Sequence, residues 1–253
     1  MKFLAVSDLH YSDRPVSHET RRHALSLEKL KKCVAQHASD CDFIICMGDV
    51  ADSFDGWLDQ KQGFSQVNEV LRQAGKPVHT VIGNHDTAAD KREFCRLMGM
   101  PNRYYAFDCE EYRCLVLDTN CNDVAVPYPN GEIEWIQCFL DEEQLAWLNE
   151  TVAESEKPIL LFSHALLRSE DYDQRRHEVK NSEKVRERIA QSDKIKAVFS
   201  AHYHHGWLTQ IEQRPYVVFA AMCEEEACTC AVVEVTASYL SVDGFGKQES
   251  THY

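Results

Sequence analysis

The chain has no apolar run long enough to span a membrane, no Cys-x-x-Cys pair, no internal repeat and no Pro/Gly/Ser-rich linker. Each absence removes a class of protein. Phe3-Leu4-Ala5-Val6 is the only apolar stretch before Ser7 and Asp8 and falls far short of a signal-peptide core, so no membrane partner and a cytoplasmic location are expected. Eleven cysteines, an odd number without paired spacing, make neither a disulfide framework nor a zinc finger. Cys46 and Cys114 lie in apolar runs and read as small buried thiols. With no linker to divide the chain, one domain is expected over residues 1–253, residues 1–205 carrying the chemistry and residues 206–253 completing a second sheet. Basic residues are also scarce: 27 Lys and Arg stand against 41 Asp and Glu, a formal charge of −14. Such a field repels polyanions, which disfavours nucleic acid as the main partner, although two bound dications would reverse the potential locally.

What is present is an ordinary globular composition, 44% hydrophobic and 27% charged. Phe3 to Val6, Phe43 to Met47, Val78 to Ile82, Ile159 to Phe162 and Ile195 to Phe199 are near-continuous apolar runs, the pattern of strands buried on both faces. Helical patterns lie between them. Glu19 to Ala38 and Phe64 to Ala74 repeat Leu, Val and Phe at helical spacing, and Asp141 with Gln144 three residues on resembles a capping box. Alternation of the two predicts an α/β fold with parallel sheet. From Tyr216 the texture becomes a series of short strands, over Tyr216 to Ala221, Cys228 to Val235 and Tyr239 to Val242. Segments 121–138 and 167–181 read as insertion loops.

Five short clusters each follow an apolar run: Asp8-Leu9-His10, Gly48-Asp49-Val50-Ala51-Asp52, Gly83-Asn84-His85-Asp86, Ser163-His164 and Ala201-His202-Tyr203-His204. In open α/β sheets, ligands gather beyond the carboxyl ends of parallel strands, where all five clusters fall. Singly, each is ordinary turn chemistry or a hydrogen-bonded histidine. Jointly, they place the oxygen and nitrogen donors Asp8, His10, Asp49, Asn84, His164, His202 and His204 at strand ends, as a two-metal site requires. One carboxylate shared between two cations reduces their repulsion, and Asp49 is the natural bridge.

The order D-x-H, G-D-x-x-D, G-N-H-D, H and x-H-x-H resembles the calcineurin-like metallophosphoesterase superfamily, over Asp8 to His204. The resemblance implies a mixed two-sheet sandwich flanked by helices. It also implies one metal held by Asp8, His10, Asp49 and His204 and a second held by Asp49, Asn84, His164 and His202. His85 would contact the phosphate and protonate the leaving group, with Asp52 orienting it. Two positions depart from the pattern. Ser53 and Phe54 follow Asp52 where the protein phosphatases of this superfamily have Arg-Gly, which disfavours protein phosphatase activity. Ala201 replaces the usual glycine, a change tolerable unless that position needs a positive φ. Asp86, the segment from His202 to Gly206 and the strand near Tyr216 to Met222 are most similar to the group of cyclic-nucleotide phosphodiesterases and manganese-dependent ADP-ribose or CDP-alcohol pyrophosphatases.

The expected activity is hydrolysis of a phosphodiester, phosphomonoester or diphosphate bond in a small phosphorylated, nucleotide-like molecule. Two divalent transition ions would lower the pKa of a bridging water towards roughly 7 for direct attack at phosphorus. Manganese or iron is favoured by the resemblance, and zinc also suits the mixed donors. The alternative is a non-catalytic metal-binding interaction module, which a missing ligand or acid would have favoured. A metallo-β-lactamase-like site would need His-x-His-x-Asp-His, which is absent. Substrate contacts are expected from Asn84, Arg175, Arg176 and Asn181, with His177, Arg14 and His18 nearby, and Tyr11, Tyr203 or Trp207 as stacking surfaces. His205 is a ligand only if the turn is shifted by one residue.

Overall fold

A computed structural model describes residues 1–13, 20–52, 60–88, 90–121 and 136–253. The first half alternates as expected: β1 (Lys2–Val6), α1 (Ser26–His37), β2 (Phe43–Cys46), α2 (Gln60–Arg72), β3 (Val78–Thr80) and α3 (Lys91–Met98). A hairpin of β4 (Tyr105–Cys109) and β5 (Tyr112–Val116) follows, then α4 (Glu142–Glu154), β6 (Ile159–Phe162), the short α5 (Tyr172–Arg175), α6 (Ser182–Ala190) and β7 (Ile195–Ser200). The last stretch is all strand: β8 (Trp207–Ile211), β9 (Arg214–Val218), β10 (Cys230–Val235), β11 (Leu240–Phe245) and β12 (Thr251–His252).

Two six-stranded mixed sheets result, ordered β12-β11-β10-β1-β2-β3 and β4-β5-β6-β7-β9-β8. Within them β1, β2 and β3 run parallel, as do β5, β6, β7 and β9. The two-residue period of the strands explains the layering. In β6, Leu160 and Phe162 join a core shared with the first sheet, while Ile159 and Leu161 join a second core with Leu145 and Leu148 of α4 and Val185 of α6. Aromatic rings close the interface between the sheets, Phe3 standing edge-on to Phe162 and Phe199 at 5.6 and 5.4 Å. This is the two-sheet, helix-flanked α/β sandwich expected.

Some elements differ from expectation in ways that have physical causes. Residues 206–253 do not complete one sheet: β8 and β9 extend the second, whereas β10 to β12 return to the first beside β1. Antiparallel pairing of β10 with β1 is a contact between opposite ends of the chain, which local pattern does not encode. At α4, the Asp141 carboxylate caps the helix by accepting from Gln144 N, but Gln144 does not reach back. Its amide instead accepts from Asp118 N and donates to Asp118 O, each at 2.7 Å, pinning the end of β5 to the helix. The segment expected to loop over 167–181 contains α5, capped by the Asp171 carboxylate. Most of the other expected loop, 121–138, lies outside the described residues.

Candidate metal centre

The parallel strands end side by side, and β1, β2, β3, β6 and β7 each hand the chain to one of the five clusters. Positive φ angles mark these exits: Asp8 at 47°, His10 at 42°, Asp49 at 50° and His202 at 67°. Left-handed backbone at a non-glycine residue costs on the order of 1 kcal/mol or more, and such strain collects where a side chain must be aimed. Ala201 is not among the positive-φ residues, so glycine is not needed there. Gly48 is different. Its φ is 98°, and a Cβ on it would lie 2.6 Å from Gly83 N and 2.8 Å from His164 Nδ1. Gly83 in turn lies against the Asp49 backbone and carboxylate, so the two loops can touch only because both residues lack side chains. Asp86 clasps the same crossing. Its buried carboxylate accepts from Gly83 N at 2.8 Å and from Asp49 N and Val50 N at 2.9 Å. Burial, then the Asp49 charge, pushes the Asp86 carboxyl up to about 7.

The donors expected from the sequence converge. Asp8, His10 and Asp49 offer atoms within 4.8 Å of one another, as do Asp49, His164 and His202, so Asp49 belongs to both sets. His204 Nε2 lies 3.2 Å from His10 Nε2 and 3.6 Å from Asp8 Oδ1. Three of the imidazoles are aimed through their other nitrogen. His10 Nδ1 is 2.9 Å from Asp52 Oδ1, His164 Nδ1 is 2.8 Å from the Met47 carbonyl, and His204 Nδ1 is 2.8 Å from Glu224 Oε1. An N–H donated outward at Nδ1 leaves a lone pair at Nε2, the tautomer that a metal ligand needs.

Those lone pairs meet other lone pairs. His10 Nε2 and His164 Nε2 stand 3.4 and 3.2 Å from Asp49 Oδ2, and the buried Asp8 Oδ1 and Asn84 Oδ1 have no hydrogen-bond partner. Facing acceptors without a donor between them require a cation. The electrostatics agree. Burial alone would raise the Asp49 carboxyl, but His164, His85 and His10 hold it well below the usual carboxylate range. At His164 burial is outweighed by the Asp49 charge, which lifts the imidazole to about 9, so this position favours a positive charge. His10 is pulled down to about 4, chiefly by burial. Imidazole, carboxylate and amide donors around a shared Asp49 fit two divalent cations.

With this donor set in place, the fold can be compared with known proteins. A family described as calcineurin-like phosphoesterase matches residues 1–206. The chain belongs to the calcineurin-like phosphoesterase family. This phosphoesterase is 25% identical, over 247 residues, to the 3',5'-cyclic adenosine monophosphate phosphodiesterase CpdA of Haemophilus influenzae, covering 96% of its own length and 81% of that protein. It is 23% identical to a protein of Fibrobacter succinogenes named "Probable cyclic nucleotide phosphodiesterase", covering 86% of its length and 78% of the relative. A crystal structure titled as a dimetal phosphatase from Danio rerio shares its fold, with a TM-score of 0.81 at 17% identity over 99% of this chain and 98% of that one. The phosphoesterase thus belongs among the calcineurin-like phosphoesterases, and these two relatives carry the names of the cyclic-nucleotide phosphodiesterase group that its motifs resemble. No described helix is long and apolar enough to cross a membrane.

Beside the donors lies the expected acid. His85 Nδ1 is 2.8 Å from Asp52 Oδ1, and the His85 ring stands edge-on to His10 at 4.5 Å. Both His85 and Asn84 line an open cavity of about 880 Å³ whose outer wall carries Arg21, Arg176, His177, Tyr203 and His205. The other expected substrate residues are elsewhere. Asn181 exchanges hydrogen bonds with the Leu140 backbone, Arg175 lines a separate cavity, and Tyr11 and Trp207 are not among the residues lining this one. Asn181 and Arg175 are close to His177 in sequence, but after His177 the chain turns away, and Glu178, Val179 and Lys180 line the separate cavity with Arg175. Arg14, His18, Ser53 and Phe54 lie outside the described residues.

Three residues of the centre had no signal in the sequence. Buried His23 places Nδ1 2.6 Å from the His10 carbonyl and 3.2 Å from Asp52 Oδ2. Glu224 steers His204, and the buried Cys223 thiol lies within 4.8 Å of donor atoms of His10 and His204. None belongs to a spaced motif; each is brought in by chain pairing, as in the bridge between Arg21 and Glu224.

Proposed function

We propose that this phosphoesterase hydrolyses a phosphodiester or diphosphate bond of a small nucleotide-like substrate, with Asp8, His10, Asp49 and His204 holding one divalent cation and Asp49, Asn84, His164 and His202 the other. The observation that carries the reading is the set of Nδ1-anchored imidazoles whose Nε2 atoms face Asp49 and one another. Manganese or iron is our first choice. Bound there, the two cations would supply Lewis acidity and a water acidic enough to attack phosphorus at neutral pH.

The chain's own side chains do the rest. Asn84 and His85 present an amide and an imidazole to the cavity from one loop, which suits contact with a phosphoryl oxygen and with the leaving oxygen beside it. Asp52 Oδ1 accepts from His85 Nδ1 and stabilises the imidazolium, so a proton on Nε2 can pass to the departing oxygen. General acids of this kind contribute about 10²- to 10⁴-fold. The outer wall offers stacking and charge in one place: Tyr203 stands edge-on to His177 and His205 at 5.2 and 5.4 Å, with Arg176 beside them. A base and a phosphate are the matching ligand chemistry, in keeping with the cyclic-nucleotide phosphodiesterase names of the two relatives.

The test is hydrolysis of a chromogenic phosphodiester and of a nucleotide panel in the presence of Mn²⁺, Fe²⁺ or Zn²⁺. His85→Ala should bind the same metal content and lose about 10²-fold or more in kcat. Full turnover in that variant would remove His85 from the reaction, and no hydrolysis with any ion would overturn the reading.

A further inference from the structure

A second cavity of about 590 Å³ lies behind the outer wall of the first, lined by Arg168, Ser169, Arg175, Glu178, Lys180 and Arg186 among others. In a chain of net charge −14 it gathers four cationic side chains. Its two carboxylates do not cancel them. Glu178, 8% exposed, already accepts from the hydroxyls of Ser169 and Ser182 and pairs with the Arg186 guanidinium. Glu183 is exposed on the first turn of α6. No ion pair joins Arg168, Arg175 or Lys180 to a carboxylate among the described residues, so the cavity keeps a surplus of positive charge.

We propose that this cavity is a binding site for a small phosphorylated anion, held by Arg168, Arg175 and Lys180. Guanidinium groups match a phosphoryl group in both charge and geometry, and Lys180 adds a point charge. Glu178 serves as a keystone, holding Arg186, Ser169 and Ser182 in place. The site also borders the reaction cavity. Asp173, Arg176 and His177 line the first cavity and Arg175, Glu178 and Lys180 the second, so residues 173–180 form a wall between them. An anion held by Arg175 therefore sits one residue from the side chain facing the substrate.

The proposal needs no metal, which separates its test from that of the activity. Inorganic phosphate is titrated calorimetrically into protein loaded with Mn²⁺ and into protein stripped by chelator. The stripped protein should still bind phosphate, with an affinity that falls as salt rises. An Arg168→Gln/Lys180→Gln variant should bind it about tenfold more weakly or not at all, with the same loss of one equivalent in the loaded protein. Arg92→Gln/Arg96→Gln, which removes the same charge from exposed positions of α3, should bind as the parent does. Phosphate binding that disappears entirely with the metal, or that weakens equally in both double variants, would overturn the second site. Absence of any metal-dependent equivalent, with phosphate still bound by the stripped protein, would count against the metal centre and leave this site standing.

Discussion

Asp52 joins three imidazoles through two oxygens: Oδ1 meets Nδ1 of both His10 and His85, and Oδ2 meets His23. Burial would raise this carboxyl, but His10 and the hydrogen bonds from all three histidines hold it well below the usual range. His23 is thus a positioning residue, fixing the unshared oxygen of Asp52 while bonding the His10 carbonyl. Its replacement by Ala should lower kcat by about tenfold with KM and metal content little changed, because a tilted Asp52 misaligns His85 without removing a ligand. An unchanged kcat would confine His23 to packing. Glu224 acts on the opposite side of the centre. Removing an outer partner of a metal-binding histidine commonly costs about 10- to 100-fold in metal affinity, so Glu224→Gln should need that much more Mn²⁺ for half-maximal activity while keeping its kcat at saturation. A titration curve that overlays the parent's would show that His204 is oriented without its carboxylate.

At the scale of elements, the end of β5 is fastened to the start of α3 by a buried charge rather than by strand pairing. Asp118, wholly buried, is paired with Lys91 Nζ at 2.6 Å and Arg103 at 3.3 Å. Burial works against its ionisation, but Lys91, its hydrogen bond and Arg103 hold the carboxyl below its ordinary value. A carboxyl lowered on folding adds stability above its unfolded pKa of about 3.9, and that stability is lost as pH falls through the folded value. Lys91→Met should therefore lower stability by about 3 kcal/mol at pH 7, and the deficit should shrink below about pH 4 as Asp118 protonates. Denaturant unfolding of both proteins at each pH measures it; a deficit independent of pH would point to lost packing instead. This fastening was not legible in the sequence, whereas β1, β2 and β6 were, because strands buried on both faces are continuous apolar runs. The half-exposed β4 and β8 were not, since intermediate residues interrupt the pattern. The convergence of the seven candidate donors was legible for the same reason as the strands: each lies within four residues of a strand's end. His23 and Glu224 were not, because their partners come from other turns.

Across the whole molecule, the centre draws on both sheets. Asp8, Asp49 and Asn84 leave strands of the first sheet, while His164 and His202 leave β6 and β7 of the second and His204 follows on the same turn. Phenylalanines stacked in pairs within each sheet meet edge-on across the core between the sheets, but at the carboxyl ends of the strands buried acceptors face acceptors. Cations bound there would brace one sheet against the other at the place where apolar packing stops. A ligand present at a hundred times its dissociation constant adds about 2.7 kcal/mol to folding stability. For a chain of this size that amounts to roughly 5–11 °C in Tm. Stripping the metal should lower Tm by that order, and the loss of hydrogen-exchange protection should be local. Amides at Asp49, Val50 and Gly83, bonded to Asp86, and at His85, bonded to the Asp49 carboxylate, should exchange faster, while those of β10 and β11 should not change. Equal Tm values with and without chelator in an active preparation would mean that the two sheets hold the donors in place unaided, with the strain at Asp8, His10, Asp49 and His202 borne by the surrounding core.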